Sequence, residues 1–153
     1  MFSNSGDVSQ LIANKIVAHY MGEPWYDRYV KSKSPFATFL GVSNNQSFQG
    51  VTTGITRFLE FAEAMLNLQD IEGFESVLDE LSRGKVESTC GQIDIAKMMA
   101  LCGVKFTFIT PNRGPRLNYD FDIFYPDGFK VCTEAKAKSE AAKPRAKGIL
   151  DPL

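Results

Sequence analysis

The chain has 153 residues, 44% of them hydrophobic and 23% charged, with a formal net charge of −1 at neutral pH. That predicts one soluble domain large enough for a real core and argues against a dedicated DNA-binding domain with a global basic footprint. One histidine, His19, and three cysteines without metal-type spacing, Cys90, Cys102 and Cys132, argue against a Cys/His zinc site, a Ser-His-Asp triad and paired-histidine catalysis, so any chemistry must run on carboxylates and lysine. The odd thiol count, the lack of a long apolar run and an N-terminus without signal-peptide character predict a reduced cytoplasmic protein. They also predict buried thiols and no membrane contact.

Taken in order, Val8, Leu11, Ile12, Ile16, Val17 and Tyr20 recur at three/four spacing and predict a helix over residues 7–21, capped by Ser5 or Asp7 and broken at Gly22-Glu23-Pro24. His19 falls at the edge of that stripe, as a boundary residue. Trp25, Tyr26, Tyr29 and Val30 predict a short second helix whose aromatic face serves the core rather than a stack of nucleobases. Residues 32–50, rich in Ser, Asn, Gln and Gly, read as a loop. Ile55, Phe58, Leu59, Ala62, Met65 and Leu66 make one apolar face of a helix over 51–69. Phe74, Val77, Leu78 and Leu81 make a shorter one, stopped at Arg83-Gly84. Residues 1–84 thus form a helical region with no constellation of chemical groups.

From Val86 the pattern changes, and residues 85–153 form the second part of the same compact unit. Thr89-x-x-Gln92 offers a capping box, weakened by Gly91 and with an earlier helix start as the alternative; the helix has the buried stripe Ile93, Ala96, Met99 and Ala100 and ends at Leu101-Cys102-Gly103. Residues 104–109 alternate as a strand, and 111–115 form a loop. Residues 118–138 then read as a β-hairpin, with Tyr119, Phe121, Ile123 and Tyr125 alternating against Asp120, Asp122 and Phe124, and Val131, Thr133 and Ala135 against Cys132, Glu134 and Lys136. Pro126-Asp127-Gly128 fits a three-residue turn in which Pro presets φ and Gly takes the left-handed position.

That turn pairs Tyr125 with Phe129, so Asp120 faces Glu134 and Asp122 faces Cys132 on one side of the hairpin. A two-residue Asp-Gly turn would put the aspartates on the other face from Glu134. In the first register, opposed Cβ atoms lie roughly 4.5–5.5 Å apart. Carboxylates that close repel unless a cation sits between them, and oxygen-only ligands suit Mg²⁺ or Mn²⁺. A lysine beside them can orient water or stabilise charge on a reacting phosphate. Residues 113–147 carry eight Lys/Arg against five Asp/Glu, a local +3 on the side of the hairpin. The bland alternative is a solvated hairpin with alternating charge, because Glu-x-Lys is a frequent tripeptide.

D-F-D-I, the turn, and V-C-T-E-A-K resemble the core motif of the PD-(D/E)xK nuclease superfamily. The order helix, strand, strand with Asp, strand with Glu-x-Lys over residues 86–140 is similar to the opening of that fold. The resemblance implies an α+β protein: an N-terminal helical layer, then a restriction-endonuclease-like α-β-β-β core with a mixed sheet. It implies Mg²⁺- or Mn²⁺-dependent hydrolysis of nucleic acid, DNA before RNA. Asp122, Glu134 and Lys136 match the catalytic positions, with Asp120 as the alternative first aspartate and auxiliary ligand. The carbonyl of Ala135 and Glu87 are further ligands by resemblance, while Gln92 stands where relatives often have Glu and Asp94 is a weaker candidate. Lys138, Lys130, Arg113 and Arg116 would contact phosphate. The short stretch after the Glu-x-Lys strand predicts either a fragment of a longer chain or a sheet completed by a second copy, a homodimer. The other reading of the same resemblance is a catalytically inactive module that binds nucleic acid or protein.

Overall fold

Five helices come first and three strands follow. The structure is a computed structural model that describes residues 5–31, 39–40, 48–110 and 119–136, with side chains described for 8–31, 39–40, 54–110 and 119–136. The helices are α1 (Ser5–Met21), α2 (Glu23–Tyr29), α3 (Phe48–Leu68), α4 (Phe74–Ser82) and α5 (Val86–Leu101). The strands β1 (Lys105–Phe108), β2 (Phe121–Phe124) and β3 (Lys130–Thr133) form an antiparallel meander in the order β1-β2-β3. The fold is α+β. The mixed sheet expected from the resemblance is not seen among the described residues, where every strand pair is antiparallel. No helix among them is long and apolar enough to cross a membrane.

The core runs through the helical layer into one face of the sheet. Val17, Phe58, Met65, Leu68, Val77, Leu81 and Ile93 are fully buried, as is Phe121 on β2. Alternation along the strands puts Phe106, Phe108 and Phe121 on the helix-facing side, where their rings meet edge-to-face or tilted at 5.4–5.9 Å. Phe74 at the start of α4 extends this cluster to Phe108, at 6.1 Å, and to Tyr20 of α1, at 6.2 Å. The aromatic face of α2 belongs to the core, as its sequence predicts. Trp25 is buried, stacks on Phe61 at 6.4 Å and donates its Nε1–H to the Leu81 carbonyl at 2.8 Å.

Several sequence expectations need correction. Val8, Leu11 and Ile12 are 49–59% exposed. The helix packs on α3, and its covered side is carried by the buried Ala13 and Val17, with Ile16, Tyr20 and Met21 partly buried against the core. Helix α3 starts at Phe48, inside the stretch read as a loop. Helix α5 opens at Val86 without a side-chain cap, so the earlier start holds and Thr89-x-x-Gln92 is not a capping box. The Thr89 N–H already donates to the Lys85 carbonyl at 3.1 Å, which puts Thr89 within the helix. Of the three thiols only Cys90 is buried, and burial pushes its pKa well up. Cys102 lies in the turn after α5, and Cys132 on the outward face of β3; both are exposed.

Candidate functional site

The hairpin closes in the predicted three-residue turn. The Tyr125 N–H donates to the Phe129 carbonyl at 2.9 Å and the Gly128 N–H to the Tyr125 carbonyl at 3.0 Å. Asp127 Oδ1 accepts the Phe129 N–H at 3.0 Å, and Gly128 takes φ +86°, a left-handed value that glycine adopts without a Cβ clash. This turn sets the register, with Asp122 opposite Cys132 and Phe121 opposite Thr133. Beyond Phe121 the regular pairing ends: the Asp120 N–H turns to the carbonyl of Thr133, the residue already opposite Phe121, and Glu134 lies close enough for its charge to act on Asp120.

Asp120 is where the ladder ends, and it is held on several sides. Its N–H donates to the Thr133 carbonyl at 2.8 Å, and its carbonyl accepts the Ile109 N–H at 3.0 Å. Its Oδ2 accepts the Ala135 N–H at 2.6 Å. The residue lines a cavity of about 210 Å³ between the sheet and the helices. Ser76 and Glu80 come to that cavity from α4; Lys85 caps α5, and Ser88, Thr89 and Gln92 come from its first turns. Ile109 and Ala135 complete the sheet side. Glu80, only 14% exposed in its side chain, pairs with Lys85 through Oε2 and with Arg83 through Oε1 at 3.2 Å.

Burial pushes the Asp120 carboxyl above its ordinary range; the Ala135 N–H pulls it back, and the nearby negative charges of Glu134 and Glu80 push it up further. Asp94, an exposed residue near Glu60 of α3 and not on the cavity, is also raised, first by partial desolvation of its carboxyl and then by that neighbour. A carboxyl raised in the folded state binds its proton more tightly there than in the unfolded chain. Stability is therefore lost as pH climbs from the ordinary carboxylate range through the raised folded values. Asp120→Asn and Asp94→Asn should each raise the thermal midpoint of the metal-free protein at neutral pH, with the gain vanishing toward the acid end of that window. Melting curves across pH check this, and a gain that is constant with pH would contradict it.

The other predicted residues have different surroundings. Asp122 lies on the face of the sheet turned away from the helices, 12% exposed in its side chain, with Lys130 Nζ at 2.9 Å and Cys132 Sγ at 3.6 Å. Glu134 and Lys136 are exposed and paired at 3.5 Å. Glu87 is half-buried in the first turn of α5 and does not line the cavity, whereas Gln92 does. Lys138, Arg113 and Arg116 lie outside the described residues. Among the described residues, no three His, Cys, Asp or Glu side chains stand grouped to hold a metal ion. Glu80 and Lys85 escaped the sequence reading, since both sit beside the Arg83-Gly84 break in charged surroundings that look like any helix end. No family model, curated protein or solved structure matches the chain.

Proposed function

We propose that the chain hydrolyses phosphodiester bonds of nucleic acid, DNA before RNA, with Mg²⁺ or Mn²⁺ held at the open end of the hairpin. Proximity of carboxylates supports this reading: Asp120 lines a polar cavity, Glu134 is near enough for its charge to push the Asp120 pKa up, and Lys136 follows Glu134 by two residues. The donor set fits a small hard cation, because Mg²⁺ keeps most of its waters and needs only one or two carboxylates from a protein. The repulsion that helps raise the Asp120 pKa is of the kind a cation relieves.

Asp120 and Glu134 would hold the ion, with the carbonyl of Ala135. When bound, the ion neutralises phosphate charge and acidifies a coordinated water. The Ala135 N–H fixes the Asp120 carboxylate in orientation. Lys136, 78% exposed in its side chain and paired with Glu134 at 3.5 Å, would orient the attacking water or stabilise charge that builds on the phosphate. Asp120 takes the first-aspartate role here because it lines the cavity, while Asp122 is engaged by Lys130. A specific observation favours the inactive-module reading as the second choice: on the α5 wall of the cavity stands Gln92, an amide that offers a cation no charge.

The test is cleavage of supercoiled plasmid and single-stranded DNA in Mn²⁺, Mg²⁺ or EDTA, beside Lys136→Ala. Metal-dependent nicking that disappears in EDTA and in the variant is the expected result. Retained DNA binding without cleavage would replace the nuclease with the inactive module.

A further inference from the structure

We infer that the outer edge of β3 pairs with the same edge of a second copy of this chain, antiparallel and centred on Cys132, so that one sheet runs through both copies. The pairing is independent of the nuclease reading. The two edges of the sheet differ. At β1 the Phe108 N–H is taken by the Glu72 carbonyl, and the chain before α4 covers the edge there. At β3 the carbonyls of Phe129 and Thr133 accept the N–H groups of Tyr125 and Asp120, and the Ala135 N–H turns back to the Asp120 carboxylate. These odd-numbered residues face β2. By alternation, the N–H and C=O groups of Lys130, Cys132 and Glu134 point away from it. No strand among the described residues pairs with them on that side.

An open edge accepts an extended chain, and the charges along it select which one. Lys130, Cys132 and Glu134 are all exposed. Read along the edge they are positive, neutral and negative, a pattern that complements itself only when two copies run antiparallel. With Cys132 opposite its counterpart, Lys130 of each copy faces Glu134 of the other. A parallel copy in register would set Lys130 against Lys130 and Glu134 against Glu134, which is destabilising. Lys130 already contacts Asp122, but an ammonium has three donors and this side chain is 46% exposed. Glu134 holds Lys136 at 3.5 Å, an exposed pair of the kind that contributes little. Such isologous pairing uses up the β3 edge in both copies, so assembly closes at the dimer.

Sedimentation of the full chain at rising concentration should show a monomer–dimer equilibrium. Glu134→Lys should weaken the dimer by about tenfold or more, because both symmetry-related pairs become repulsive. Lys130→Glu combined with Glu134→Lys should return its affinity to within about threefold of wild type. The register has its own probe. Residues opposed in this way lie about 5.5 Å apart at Cα, inside the roughly 4.4–6.8 Å that a disulfide spans. Oxygen with a copper catalyst should therefore link the copies through Cys132, equally in wild type and in Cys102→Ser, and should form no link in Cys132→Ser. Should Glu134→Lys fold poorly, Glu134→Gln takes its place with the same expected direction. A monomer at every concentration overturns the inference. So does a dimer that the folded Glu134 variant leaves unchanged, or one whose copies are linked through Cys102.

Discussion

Gly73→Ala is expected to cost about 3–4 kcal/mol of stability, the sum of a left-handed backbone and an overpacked contact, and to lower the thermal midpoint by about 10 °C. Gly73 precedes α4 with φ +84°. A Cβ there would lie 2.2 Å from the carbonyl oxygen of Phe108 and 2.9 Å from its carbon. Those atoms belong to β1 and cannot swing aside as a side-chain tip could. The Phe108 N–H donates to the Glu72 carbonyl at 2.9 Å, so the chain before α4 is tied to the strand at the same point. Gly103→Ala is the control. It shares the positive φ, at +68°, but meets nothing within 4 Å, and should cost only about 1 kcal/mol. Melting followed by circular dichroism separates the two terms. Equal losses would mean that α4 and β1 can move apart cheaply. A large loss for Gly73→Ala should also disturb the cavity, because α4 carries Glu80 into it.

On the proposed nuclease function, Asp120→Asn should reduce metal-dependent DNA cleavage by about a hundred- to a thousandfold, and Asp122→Asn should leave it within about threefold. The contrast follows from surroundings. Asp120 lines the cavity, carries a raised pKa, and is oriented by the Ala135 N–H. Asn at this position keeps an oxygen to accept that hydrogen bond but loses the negative charge a cation requires. Asp122, two residues away, sits against Lys130 and the Cys132 thiol. Replacing it unpairs Lys130, an exposed ammonium that water can solvate, so the change should be felt as modest destabilisation rather than lost turnover. Initial rates on plasmid under saturating Mn²⁺ decide the matter. If Asp122→Asn is the dead variant, the Lys130 pair must open to admit the ion, and the site lies on the outer face of the sheet.

The parts of this fold that were readable from sequence are those set by near neighbours. The hairpin register follows from three turn residues whose bonds span a few positions: Gly128 to Tyr125, Phe129 to Asp127. The presence of helices over Phe48–Leu68 and Phe74–Ser82 follows from apolar spacing. What stayed hidden depends on contacts between distant stretches. Which side of α1 is covered depends on its packing against α3, a stretch far away in sequence. The start of α5 was obscured because Thr89, a capping residue by type, is buried within the helix on the wall of the cavity. Asp120 and Asp122 share a face by parity. They part company because the ladder stops between them, and the freed carboxylate turns toward the Ala135 N–H. Glu80 reaches the same cavity from forty positions earlier in the chain, a distance over which periodicity carries no information.

The single tryptophan of this chain has a bearing on how its unfolding will be seen. Trp25 sits among Tyr29, Phe61 and the Leu81 carbonyl, and these partners, among the described residues, all belong to the helical layer. Its fluorescence is therefore a local reporter: it will register loosening of the helices and stay silent while the hairpin frays. Tyr125 and Phe129, exposed at the turn and 6.2 Å apart, lie at the other extreme of the molecule's optical signal. Denaturation curves recorded by tryptophan emission and by a probe on the exposed thiol of Cys132 should coincide only if the two layers melt as one cooperative body.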